Sequence, residues 1–387
     1  MGTVNENRFE RIKVQGFRRL WNLDLELRPI SVLIGANGSG KTSVLELFSL
    51  LAGSAAGSLK SALSEMHGIG ANLTAGRAKE LFFELSMPIP NYAPLIYALR
   101  IAPTNVSYEI SEEILTQKHK EKPYPFKHIE SQRDEVKYFE VDSKKLVRPT
   151  WDHNPLETSL AQVPKMFKEP EDFRKRLASS THYHVLDVAS RARVRQPQPL
   201  RPADLPGRDG EDLVSCLFYM READRDRYEA VEDALRIGFP GFDRLDFPPV
   251  AAGTLAMTWR DKHFSTPLFM HQLSEGTLRF LWLVTLLQSP GLTAITLIDE
   301  PEVSLHPELL SLLADLMREA SARTQLIVAT HADRLVRFLE PKEVIVMDLD
   351  DVGMTRATWA DQMDLEGWLS EYTLDEVWRM GRMGGRP

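Results

Sequence analysis

The chain of 387 residues has room for roughly two or three units of ~150 residues, and its 43% hydrophobic and 26% charged residues exclude a disordered, collagenous or coiled-coil polypeptide. Lys and Arg number 47 against 55 Asp and Glu, a net charge of -8, so the chain as a whole has no electrostatic pull toward nucleic acid or anionic membrane. The single cysteine, Cys216, excludes an internal disulfide; with no signal-peptide-like apolar start and no apolar run near the ~20 residues that span a bilayer, a cytoplasmic protein away from membranes is expected.

Between Phe9 and Gly35, FERIKVQGF, LDLELRP and ISVLIG read as strands, the last a buried-type apolar run that stops at glycine. KTSVLELFSLLAG has helical spacing and ends at Gly53; residues 54–80 read as a loop with short helical pieces. LFFELS, LIYALRIA, VSYEISEEI and VKYFEVD alternate apolar with polar residues, as antiparallel strands with one wet face do. Prolines recur from 88 to 206, which excludes one long helix and with it a coiled-coil arm. The Arg/Pro-rich stretch 190–208 reads as an irregular connector near a lobe boundary. A helix is expected around 211–237, a strand pair near 253–270 and an apolar helix from Gly276 to Gln288. TAITLID, PELLSLLADLMREAS, TQLIVAT, ADRLVRFL and EVIVMDL then alternate strand and helix, the rhythm of a parallel sheet covered by helices. A short amphipathic helix and a Gly/Arg end follow.

Residues 35–42, GANGSGKT, match G-x-x-x-x-G-K-[ST] between a strand and a helix, where the mechanism of that motif requires it. Gly35, Gly38 and Gly40 let the backbone curl so that amides, with those of Asn37 and Ser39, point inward at the positive end of the helix. Lys41 is placed to neutralise β and γ phosphates and the Thr42 hydroxyl to ligate Mg²⁺, with Ser43 completing the stretch. Asp299 and Glu300 end an apolar strand at the sheet edge where ligands of open α/β folds bind; Asp299 is the expected metal ligand and Glu300 the expected base for an attacking water. A second strand ends at His331, which a parallel sheet would bring near the phosphate. Ser274 and Gly276, in LSEGT at a helix start, form either a second anion site or a plain helix cap.

In this order the motifs resemble the ATP-binding-cassette ATPases, specifically the soluble RecF/SMC-like branch that includes the ATPase halves of overcoming-lysogenization-defect (OLD) nucleases. GANGSGKT looks like Walker A, LSEGT like the signature loop, ITLIDE like Walker B, THAD like the switch-histidine loop and VSLHP like the D-loop. The resemblance implies an α/β head: a mainly parallel P-loop sheet flanked by helices, an antiparallel β subdomain and a helical signature lobe. Its expected divisions are 1–190 with Walker A and the antiparallel subdomain, 191–288 as the helical lobe, 289–350 with Walker B and the switch histidine, and 351–387 as a C-terminal helix and tail. It also implies ATP and Mg²⁺ as cofactors and an ATP-dependent head-to-tail homodimer in which Ser274 of one copy meets the nucleotide of the other. Phe17, Arg18 and Arg19 are expected near the base or sugar. Glu275 and Thr277 stand where transporter heads prefer Gly and Gln, which argues against a transporter subunit; for the Q-loop glutamine, Gln132 and Gln162 remain alternatives.

The favoured function is an ATP-hydrolysing switch that controls a separately encoded effector, in an anti-phage setting, since the 56 residues after His331 are too few for the Toprim nuclease fused in longer relatives. Asp348, Asp350 and Asp351 form a D-x-D-D cluster that is superficially like the metal-binding end of such a nuclease, or an ordinary turn. The alternative is a RecF-like repair factor in which Arg191, Arg193, Arg195, Arg201 and Arg208 track DNA phosphates, against the reading that they form a solvated face.

Overall fold

Short apolar runs bounded by glycine, proline or acidic residues become the strands of one sheet, and longer alternating runs become those of another. The computed structural model describes residues 8–118, 124–132, 135–140, 143–162 and 168–384. The first seven residues and the last three of the Gly/Arg end lie outside the described residues. In chain order the main elements are β1 (Arg11–Phe17), β2 (Leu20–Glu26), β3 (Ile30–Ile34), α1 (Lys41–Ala56), β4 (Leu81–Ile89), β5 (Tyr92–Pro103), β6 (Tyr108–Gln117), β7 (Phe126–Gln132), β8 (Glu135–Glu140) and β9 (Lys145–Val147). There follow α2 (Lys168–Ala178), β10 (Thr181–Tyr183), α3 (Leu213–Ala223), α4 (Arg225–Gly238), α5 (Glu275–Gln288), β11 (Ile295–Asp299), α6 (Leu309–Ser321), β12 (Gln325–Ala329), β13 (Val344–Leu349) and β14 (Thr355–Trp359).

Six strands pair in the order β10-β11-β12-β3-β13-β14. The first four pairings are parallel; β13 and β14 form an antiparallel hairpin. Because side chains alternate along a strand, this sheet feeds two cores. Val32, Ile34, Ile298, Val328 and Val346 join the core of helices α3 to α6, whereas Leu33, Leu297, Ile327, Ile345 and Met347 join the core of α1 and the second sheet. Burial on both faces explains why these strands read as continuous apolar runs.

The second sheet has eight antiparallel strands in the order β2-β1-β4-β5-β6-β7-β8-β9. Its inner face carries Leu81, Phe83, Leu85 and Met87 of β4 at two-residue spacing, all buried. Phe173 of α2 closes this core, its ring 5.2 Å from Phe9 and 5.5 Å from Tyr97. The buried Glu113 on β6 accepts from Tyr97 Oη at 2.9 Å and from the Leu160 amide at 2.8 Å, tying the segment after β9 to the sheet.

Two local expectations change. The helix expected over 211–237 is two helices broken at Asp224, whose ψ of 70° stops the first. The expected helix ADRLVRFL is helical only over Asp333–Val336. The strand pair expected near 253–270 is present, Thr258–Asp261 pairing antiparallel with Leu268–Phe269. Among the described residues no helix is long and apolar enough to cross a membrane.

Candidate functional site

Parallel register decides which side chains meet. Leu33, Ala329 and Asp299 lie side by side across β3, β12 and β11, so Gly35, His331 and Glu300 all leave the sheet at one edge, the carboxyl ends of the strands.

At that edge Gly35, Gly38 and Gly40 have φ of 144°, 78° and 103°. A Cβ on Gly35 would stand 2.0 Å from the Met347 carbonyl oxygen, and one on Gly40 2.6 Å from Thr355 Oγ1, whereas one on Gly38 would meet nothing within 4 Å. The outer two glycines are thus demanded by the β13–β14 hairpin pressing on the loop, and the middle one by its left-handed turn. Thr355 Oγ1 also donates to the Ser39 carbonyl at 2.8 Å, which fastens the loop from a strand more than 300 residues away. Ser39 Oγ is buried with no partner among the described residues. Lys41 is 4% exposed, and its Nζ donates to the carbonyls of Gly35 at 2.7 Å and Ala36 at 3.0 Å. Burial pushes its ammonium down to about 8 despite the pull of Asp299 and Glu300.

Lys41, Thr42 and Ser43 line a pocket of about 270 Å³ together with Gly38, Gly40, Arg18, Arg19 and His331. Asn37 is exposed on the loop and does not line it. Arg18, in a left-handed turn at φ 49°, is held by Glu46 and by Asn72 Oδ1 at 3.0 Å. Phe17 is fully buried against Phe83, so the expectation that it reaches a nucleotide is corrected: the strand's alternation breaks at Gly16, whose φ is 82°, and Phe17 packs into the core.

Asp299 and Glu300 crowd two carboxylates at the end of β11. Burial and the neighbouring Glu300 push the Asp299 carboxyl above its usual range, the condition that a cation relieves. Glu300 adopts φ 48°, unusual for a residue with a side chain, and its amide donates to the Ala329 carbonyl at 2.8 Å. This turn lifts its Oε1 to 3.8 Å from His331 Nε2. Burial, then Lys41, lower the His331 pKa against the pull of Glu300, which keeps the ring neutral.

Glu302, unremarked in the sequence, holds the histidine loop. It accepts from Thr330 Oγ1 at 2.6 Å and from the His331 amide at 3.4 Å, and burial raises its pKa. Glu302→Ala leaves these donors unpaired, and urea unfolding is expected to register a loss of about 1–3 kcal/mol. Glu302→Gln keeps the acceptor without the buried acid and is expected to stay within about 1 kcal/mol of the parent; equal losses in both variants would refute this role.

Ser274 caps α5: its Oγ accepts from the Thr277 amide at 3.1 Å. A Cβ on Gly276 would stand 2.5 Å from the Ser304 carbonyl oxygen, and Arg279 Nη1 donates to Ser304 Oγ at 2.5 Å, so α5 is locked onto the turn after β11. Within one chain neither Ser274 nor Gly276 lines the pocket with Lys41.

The remaining candidates disperse. Gln162 is committed to Asn154, accepting from its amide at 2.7 Å, and Gln132 of β7 pairs with Glu135 of β8; neither lines the pocket. Asp350 Oδ1 accepts from the amides of Val352 at 3.0 Å and Met354 at 2.8 Å, so Asp350 and Asp351 belong to the turn of the β13–β14 hairpin, with Asp348 in β13 before it. Arg195 donates to the carbonyls of Val188 at 2.7 Å and Leu273 at 2.8 Å, and Arg201 to Asp212 Oδ2 at 2.8 Å, which removes two of the five arginines from a phosphate-tracking stripe.

A search of curated protein sequences finds no match. Solved structures sharing the fold include an SmcHead bound to the C-winged helix domain of ScpA, 16% identical with a TM-score of 0.56 over 92% of this chain and 99% of that one. The Smc head domain with an extended coiled coil bound to the C-terminal domain of ScpA, derived from Pyrococcus furiosus, is 14% identical with a TM-score of 0.54 over 96% and 99%. The Smc head domain with a coiled coil and joint from Pyrococcus yayanosii is 12% identical with a TM-score of 0.51 over 94% and 98%. Residues 30–337, from β3 past the His331 loop, match the family described as "AAA domain, putative AbiEii toxin, Type IV TA system", and the chain belongs to that family.

Proposed function

We propose that this AAA-family chain binds and hydrolyses ATP, dimerises around two nucleotides, and through that cycle controls a separately encoded effector in phage defence. The observation that carries the reading is one pocket shared by Lys41, Thr42 and His331, with Glu300 3.8 Å from the histidine. The residues fit a magnesium nucleotide: the open left-handed turn at Gly38, the unpartnered Ser39 hydroxyl and the crowded carboxylates call for anionic oxygens and a cation. Gly38 to Ser43 would hold the phosphates, and Thr42 and Asp299 would hold Mg²⁺, which supplies charge neutralisation to the phosphate oxygens. Glu300 takes the proton of the attacking water at its carboxylate, and neutral His331 orients the γ-phosphate side of the pocket.

Ser274 and Gly276 reach a nucleotide only from a second copy, in a self-complementary two-fold contact. The ScpA-bound Smc heads support a partner protein as the effector, and the toxin–antitoxin wording of the family description supports a defence setting. The test is Ser274→Asp. Aspartate caps a helix as well as serine, so stability is expected within about 0.5 kcal/mol of the parent. A carboxylate facing the partner's triphosphate is expected to weaken the ATP-dependent dimer at least about tenfold, a cost of ~1.4 kcal/mol. Light scattering with ATP measures the dimer; a Ser274→Asp chain that dimerises and turns over ATP like the parent ends the two-copy reading.

A further inference from the structure

Beside the Lys41 pocket lies a second cluster that the ATP reading leaves unused. β10 pairs in parallel with β11, Tyr183 opposite Ile298, so the next residue, His184, leaves the sheet beside Asp299. One ring nitrogen from each of His182 and His184 and one carboxylate oxygen of Asp299 lie within 4.8 Å of one another; among the described residues this is the one such group.

The second observation concerns the imidazole of His182, which is 6% exposed. Its Nδ1 lies 3.2 Å from the Ser49 hydroxyl, and that hydroxyl donates its proton to the Leu45 carbonyl at 3.2 Å. A hydroxyl has one proton to give, so Nδ1–H is the donor and Nε2 carries a lone pair. Nε2 is buried with no hydrogen-bond partner among the described residues. An imidazole fixed through one nitrogen, with the other left as a buried lone pair, has the arrangement of a metal ligand whose tautomer is set by a neighbour.

We propose that His182, His184 and Asp299 form a binding site for a divalent transition-metal ion of the zinc class, open on the side of the groove that His182, His184, Glu46 and Arg208 line. Two imidazoles and one carboxylate suit zinc or cobalt, whereas magnesium and calcium favour all-oxygen sets. An ion at about 2.1 Å from its ligands needs them about 3.4 Å apart, so binding draws the three side chains together from their spacing within 4.8 Å. Three protein ligands leave a coordination position for water or substrate, as catalytic rather than structural zinc sites do. The groove, about 560 Å³, supplies the entry path. Asp299 has two oxygens, so service here leaves one for a nucleotide's cation.

The experiment uses the full chain, stripped of metal with a chelator and free of nucleotide, titrated with Co²⁺ while its visible d–d absorption is followed, then with Zn²⁺ in competition. The expected result is one Co²⁺ per chain, displaced by one Zn²⁺ and not by millimolar Mg²⁺. His184→Ala, at an exposed position that leaves the fold intact, is expected to weaken Co²⁺ binding about a hundredfold, at least the effect of losing an outer-shell partner, with the melting temperature unchanged. Lys41→Ala is expected to bind Co²⁺ like the parent. Absence of a stoichiometric site, displacement by Mg²⁺, or parental affinity in His184→Ala overturns the proposal. Because nucleotide is absent from the titration, that failure leaves the ATP reading standing, and loss of ATP binding in Lys41→Ala leaves this one standing.

Discussion

Lys41→Ala is expected to lower ATP affinity about a hundredfold or more. A charged hydrogen bond is worth about 1.5–3 kcal/mol, and the ammonium, now spent on two loop carbonyls, is placed to make two such bonds to phosphate oxygens. The same residue carries a pH signature. In the folded protein Lys41 titrates at about 8 because burial disfavours its charge, against 10.5 for an ordinary lysine. Between those values the unfolded chain binds more protons than the folded one, so the stability contributed at this position rises with pH across that window and is flat below it. Urea unfolding at pH 7.5 and 9.5 is expected to show this rise in the parent and not in Lys41→Met. ATP reverses the shift by placing negative charge beside the ammonium. At pH 8 binding is therefore expected to take up about half a proton, measurable by calorimetry in buffers of different ionisation enthalpy; no uptake would mean that Lys41 is already fully charged.

The second large effect is a separation of binding from turnover in Glu300→Gln. Proton transfer by a positioned base contributes about 10²–10⁴-fold, so hydrolysis is expected to fall by that factor while ATP affinity stays within about threefold, RT ln 3 being ~0.6 kcal/mol. Glutamine tolerates the φ of 48° no worse than glutamate and retains the amide bond to Ala329, so the loss is not a folding defect. ATP-bound dimer is expected to accumulate, visible by light scattering in Mg²⁺ and ATP. Parental turnover in Glu300→Gln would remove the base assignment.

The legible parts of the chain are those whose signal is local. GANGSGKT announces its turn because only glycine accepts these φ values, and the apolar runs ISVLI, ITLID and QLIVA announce buried parallel strands because both faces are covered. β10 is not legible in the sequence: three residues, THY, are too few to show a period. With it went His182 and His184. The helix expected over 211–237 breaks for a related reason, since Asp224 interrupts it by one backbone torsion that no pattern of apolar residues encodes.

The sequence by itself determined the phosphate loop, the acidic pair at a strand end, the histidine after a neighbouring strand and the mixed α/β character of the chain. These follow from backbone stereochemistry and from side-chain period, which act over a few residues. Only the tertiary structure decided that Thr355 buttresses Ser39, that Glu302 holds the His331 loop, and that two histidines of an edge strand stand beside Asp299. Each of these depends on register and strand order between segments far apart in the chain, where a slip of one residue would turn the same side chains to the opposite face of the sheet.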